Sequence, residues 1–108
     1  LWFSILGSGR RRIMDNNKFE QLCKNTVYTY INKYLHSHVI DGISITQDDI
    51  YVVWMCKTLQ NNKALLSTTL PDGMYYECTY NGDREELYLD AYKKIENQRF
   101  DVVKMEDK

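Results

Sequence analysis

Asn81-Gly82 stands between two arms of alternating side chains, and this junction constrains the chain more than any other feature. Asn-Gly flanked by alternating arms is the strongest short-range signal for a β-hairpin. The arms are Met74 to Tyr80 and Glu86 to Lys94. A loop of two or four residues puts Met74, Tyr76 and Cys78 on one face with Leu87, Leu89 and Ala91. The other face then carries Tyr75, Glu77 and Thr79 with Glu86, Tyr88, Asp90 and Tyr92, because a one-residue slip would flip every side chain. A competing reading exists for the last arm. Asp83-Arg84-Glu85-Glu86 has the form of a helical capping box, and Leu87, Tyr88, Ala91, Tyr92 and Ile95 fit a helical stripe. The strand is preferred because the alternation of the last arm completes that of the arm before it.

A second hairpin is expected just upstream. Ile50 to Leu59 is apolar at nearly every position and rich in β-branched and aromatic residues, as in a strand covered on both faces. Asn61-Asn62 is the expected turn, since Asn tolerates positive φ, and Ala64 to Thr69 is the return arm. Pro71-Asp72-Gly73 is a turn in which Pro presets φ and Gly accepts a left-handed conformation.

Before the hairpins, Phe19, Leu22, Cys23, Thr26, Val27, Tyr30, Ile31, Tyr34 and Leu35 recur at helical spacing, and Asp15, Asn16 and Asn17 can cap the start. A helix is expected from about Asn17 to His36. Asp41-Gly42 reads as a turn and Ile43-Ser44-Ile45 as a short edge strand. The expected fold is α+β: one long amphipathic N-terminal helix on a four-stranded antiparallel sheet of two consecutive hairpins. The domain is expected to span residues 14–100, with a frayed tail over 101–108. A single helix covers one face of such a sheet, and the first strand wants cover on both. Self-association, with a homodimer as its simplest form, is therefore expected.

Residues 1–13 do not match the rest in composition. The arginines Arg10, Arg11 and Arg12 follow the apolar run instead of preceding it, which is the wrong order for a signal peptide, and Leu1 to Leu6 is too short to span a bilayer. An engineered leader, a basic tail and a wrongly extended reading frame remain open. The last is favoured, because consecutive arginine codons can spell a bacterial ribosome-binding sequence just upstream of Met14. The chain has 14 basic and 15 acidic residues, net -1; without the three arginines it has 11 against 15, net -4. A mildly acidic domain lacks the footprint of a phosphate-tracking protein, so a nucleic-acid partner is not expected.

No catalytic motif is visible, and no cofactor is implied. His36 and His38 could offer two metal ligands, but spacing suggests no third, and the preferred reading is a helix C-terminus, where a histidine interacts well with the dipole. Cys23, Cys56 and Cys78 form no Cys-x-x-Cys pair and are expected as reduced, buried thiols in a cytoplasmic protein. The candidate binding residues are Tyr75, Glu77, Tyr88, Asp90 and Tyr92 on the second hairpin, with Lys57 and Asn62 near the tip of the first. Tyrosines interleaved with carboxylates suit a protein interface, or a flat heterocycle stacked on the rings. The ordinary alternative is cross-strand packing on a solvated face; for Lys57 it is a snorkelling side chain near a strand end.

The run Val53-Trp54-Met55-Cys56-Lys57-Thr58-Leu59-Gln60-Asn61-Asn62-Lys63-Ala64-Leu65-Leu66, followed by Tyr75 to Asp83, resembles a family of small uncharacterised proteins encoded by phages and prophages of Gram-positive bacteria. The resemblance covers about Phe19 to Ile95. The chain departs from it in having Asn62 where a second aromatic is expected before Lys63. No activity comes with the resemblance. It implies a short gene in a phage accessory region, acting in host cytoplasm on a host or phage protein, or as an anti-defence sponge for a small nucleotide signal.

Overall fold

The computed structural model describes residues 14–38 and 45–103, with the helix side chains given through residue 34. One helix, α1 (Asn16–His38), is followed by a 3-10 turn (Gln47–Asp49) and four strands: β1 (Ile50–Thr58), β2 (Asn61–Thr68), β3 (Met74–Asn81) and β4 (Glu86–Lys93). The strands form one antiparallel sheet in sequence order, β1-β2-β3-β4, so β1 and β4 are its edges. The α+β architecture is the one expected from the sequence. Residues 39–44 lie outside the described part, with the expected turn at Asp41-Gly42 and most of the expected strand at Ile43-Ser44-Ile45. So do residues 1–13, residues 104–108 of the tail, and the side chains of His36 and His38.

Asp15 starts the helix: its Oδ1 accepts from the Lys18 backbone N–H at 2.8 Å and its carbonyl from Phe19 N at 2.9 Å. The first bond satisfies an N–H that has no partner inside the helix, and the second opens the helical ladder. The buried stripe is Phe19, Cys23, Val27 and Ile31, one residue per turn, packed on Ile50, Ala64, Leu66, Tyr76 and Cys78. It is narrower than the sequence pattern. Tyr30 and Tyr34 lie on its flank, exposed, with rings stacked at 6.3 Å between centroids.

The second hairpin has the expected parity. Tyr75 pairs with Tyr92, Glu77 with Asp90, Thr79 with Tyr88 and Asn81 with Glu86. The last arm is therefore a strand, and residues 82–85 form a four-residue loop. Asn81 Oδ1 accepts from the N–H groups of Asp83 and Arg84, at 3.0 and 3.2 Å, while Glu85 takes the positive φ. Gly82 is needed for space: a Cβ there would sit 2.1 Å from the Gln60 carbonyl oxygen. The two hairpin tips are pressed together at this point, and Asn61 Oδ1 accepts from Gly82 N at 3.2 Å. The turn at Pro71-Asp72-Gly73 also forms, with Gly73 at φ +70 and Met74 N donating to Asp72 Oδ1 at 3.1 Å.

The first hairpin departs from expectation. Its turn is Leu59-Gln60, with Thr58 opposite Asn61, and not Asn61-Asn62. The exposed Leu59 carries the positive φ. Strand length explains the choice. β2 ends at Thr68, ahead of Pro71. A turn at Asn61-Asn62 would bring only the later part of β1 opposite the return arm and leave Ile50 to Val53 unpaired. The observed turn pairs Ile50 with Thr68 and buries Ile50 under the helix.

β1 also differs. A bulge at Val53 shifts its register. Ile50, Val52 and Met55 join the core side, but Tyr51, Val53 and Trp54 are 47%, 46% and 43% exposed. The strand expected to be covered on both faces is an edge strand with one face bare in the single chain.

Candidate functional site

The uncovered face of the sheet collects side chains from all four strands. On β3 and β4 the register sets Tyr75 beside Tyr92, Glu77 beside Asp90, and Thr79 beside Tyr88. β2 adds Leu65 next to Glu77 and Lys63 next to Thr79, and β1 adds Trp54 opposite Leu65 and Cys56 opposite Lys63. Five of the seven residues anticipated from sequence thus come together: Tyr75, Glu77, Tyr88, Asp90 and Tyr92. The period of two makes this unavoidable once the hairpin is in register.

Lys57 and Asn62 do not join them. They pair with each other across β1 and β2, on the face that the helix covers. Lys57 Nζ donates to the Met14 carbonyl at 3.3 Å, at the start of the helix. Asn62 is 2% exposed, and its Oδ1 has no hydrogen-bond partner. Both were expected at a polar hairpin tip; moving the turn to Leu59-Gln60 carries Asn62 into the sheet. Conversely, Tyr51, Trp54, Lys63 and Leu65 belong to the open face and were not anticipated. The signal for them was the unbroken apolar run of β1, which was assigned to burial. Cys56, expected to be buried, is exposed on this face, whereas Cys23 and Cys78 are buried.

The centre of the face is electrostatically unusual. Glu77 and Asp90 are like charges at directly paired positions, an arrangement that disfavours the strand pair. Lys63 Nζ lies 3.4 Å from Glu77 Oε2 and offsets part of this. The Tyr92 hydroxyl donates to Glu77 Oε1 at 3.5 Å, and the Tyr88 hydroxyl to Glu86 Oε1 at 2.6 Å. The charge of Asp90, then that of Glu77, holds the Tyr92 phenol above its ordinary pKa. The hydrogen bond to Glu86 does the same for Tyr88. Both phenols therefore stay neutral donors throughout the physiological range. Lys94 Nζ sits 5.7 Å from the centre of the Tyr75 ring, within reach of a cation–π contact.

A second feature lies between α1 and the far end of β3 and β4. It is a cleft of about 380 Å³ walled by Tyr30, Tyr34 and Tyr76, with Asp72 and Lys93 at its polar end. Tyr30 meets Tyr76 edge-on, with centroids 5.9 Å apart. Burial, followed by the charge of Asp72, pushes the Tyr76 phenol up to about 12. Among the described residues, no three His, Cys, Asp or Glu side chains gather as a metal site, and no helix is long and apolar enough to cross a membrane.

Fold and site together define a small α+β domain: one helix laid on a four-stranded antiparallel meander, with a tyrosine- and carboxylate-bearing face left open. The chain belongs to the Family of unknown function (DUF6275), whose model it matches over residues 20–102. No curated protein and no solved structure matches it.

Proposed function

We propose that this chain is a small non-catalytic binding protein, encoded by a phage or prophage and acting in host cytoplasm as a homodimer, that docks a host or phage protein on its Tyr75–Tyr92 face. The observation that carries this reading is the Glu77–Asp90 pair at the middle of that face. Two carboxylates set opposite each other weaken the sheet and gain from a cation brought between them. Tyr75, Tyr88 and Tyr92 surround them with flat, half-polar surface of the kind that anchors protein interfaces. The partner best suited to this arrangement presents a Lys or Arg side chain within an apolar surround.

Photo-crosslinking from position 88 in cells carrying the native phage or prophage tests the reading. A discrete cross-linked partner is expected, and Asp90→Lys should abolish it while the melting temperature holds or rises. Recovery of the same partner after both Tyr75→Ala and Asp90→Lys would overturn the proposal.

The tyrosine-walled cleft supports a second reading, an anti-defence sponge for a small nucleotide signal. Its volume lies within the range of small-ligand sites, and its aromatic walls suit a base. Lys93 is the cation among the residues that line it, which suits a ligand with few phosphates. The check is the melting temperature with cyclic nucleotides and cyclic ADP-ribose isomers, for the parent and for Tyr30→Ala. A rise confined to the parent supports this reading, and no rise with any of them removes it.

A further inference from the structure

The last ten described residues, 94–103, leave the sheet. Lys94 N still donates to the Gly73 carbonyl at 2.8 Å, and beyond it the chain runs off the end of β4 with no strand partner among the described residues. Ile95, Phe100, Val102 and Val103 are 95%, 64%, 61% and 70% exposed. A solvated tail has little use for four large apolar side chains. The segment also lies almost wholly within the matched family region, which runs to residue 102. It is therefore part of the domain that the family shares.

The same chain carries the complementary vacancy. Tyr51, Val53 and Trp54 form an uncovered apolar patch on the edge strand β1, at the opposite side of the sheet from β4. In the structure the segment does not fold back onto its own sheet, since Ile95 and Phe100 stay exposed. Residues 95–101 carry no regular structure, and Val102 and Val103 are helical; fully extended, residues 95–101 reach about 23 Å, most of the length of β1. In a twofold dimer, each arm can lie on the other copy, and the two symmetry-related contacts then cover both patches of both copies. A foreign partner would have to cover two separated patches at once.

We propose that residues 94–103 are an exchange arm: Phe100, Val102 and Val103 of one copy pack on Tyr51, Val53 and Trp54 of a second copy, reciprocally. This rests on the homodimer in the reading above and names the surface that makes it. It leaves the Tyr75–Tyr92 half of the face free for another protein.

Sedimentation of the full chain tests the proposal. The parent is expected at twice the 12.9 kDa chain mass. The arm variant Phe100→Asp/Val102→Asp and the face variant Trp54→Asp are each expected to weaken the dimer by roughly 30-fold or more, as loss of an aromatic anchor does. The arm lies outside the core, so the arm variant keeps the parent's melting profile at matched dilution below dimer formation. Tyr51→Asp replaces Trp54→Asp if the latter unfolds. Mixing an arm variant with a face variant should restore a heterodimer, because one intact arm then meets one intact face. A parent that sediments as a monomer overturns both the homodimer and the arm exchange. A dimer that survives both variants overturns the arm exchange alone and leaves the homodimer standing.

Discussion

Glu77 on β3 lies directly across from Asp90 on β4, so two carboxylates share the centre of an open sheet face, and Lys63 is close enough to offset only Glu77. The fold does not need this pair. Asp90→Asn is expected to raise stability by about 0.2–1 kcal/mol, the range for relieving like charges at paired positions, and to weaken partner capture at the same time. Urea titration of both proteins checks the first part. A loss of stability would show that Asp90 has a favourable structural role.

Asn62 lies buried opposite Tyr80 and Lys57 with an unpartnered Oδ1. A buried acceptor without a donor costs about 1–3 kcal/mol. Asn62→Leu keeps a branched side chain of four heavy atoms and removes that cost, so it should leave stability unchanged or raise it by about 1 kcal/mol. Asn62→Asp should lower it, because a carboxylate would lose its water with only Lys57 across the strand pair to offset the cost. Chemical denaturation of the two variants decides the matter. A strongly destabilised Leu variant would mean that the amide is used.

The neighbouring Cys78 thiol on β3, together with burial, holds the Cys23 thiol of the helix well above its ordinary pKa. Cys56 is exposed. A thiol reagent at neutral pH should therefore label Cys56 at once, and label Cys23 and Cys78 only as the domain opens. Mass spectrometry of the labelled protein with and without denaturant gives the answer. Fast labelling of Cys23 in the native state would contradict its burial beneath the helix.

Tyr76 sets an alkaline limit. Its phenol has a folded pKa pushed up to about 12, from an ordinary 10.0. The neutral form is the one favoured in the folded state, so the full contribution is present below pH 10 and is lost as pH rises from 10 to about 12. The loss from this group is roughly 2 kcal/mol. Tyr88 and Tyr92, also raised, act in the same direction. Melting curves across this window should fall for the parent and fall less steeply for Tyr76→Phe.

Most of the secondary structure was legible because its signals are local. The stripe Phe19-Cys23-Val27-Ile31 repeats with the helical period, and the alternation from Met74 to Tyr92 repeats with the strand period. Either can be read without knowing what packs against it. The same alternation placed Tyr75, Glu77, Tyr88, Asp90 and Tyr92 on one face. The sequence puts Lys57 and Asn62 near the polar tip of the first hairpin instead, because Asn61-Asn62 has better turn chemistry than Leu59-Gln60. That local preference lost to pairing along the whole of β1.

The sequence by itself determined the helix, the second hairpin and the set of side chains on its two faces, since 3.6- and 2-residue periods are properties of the chain. Only the tertiary structure decided where the first hairpin turns, that Asn62 is buried while Cys56 is exposed, and that β1 ends as an edge strand with Tyr51 and Trp54 uncovered. These outcomes depend on how the strands register against one another and on which face a single helix can cover. An apolar strand buried on two sides and one awaiting a partner have the same sequence pattern.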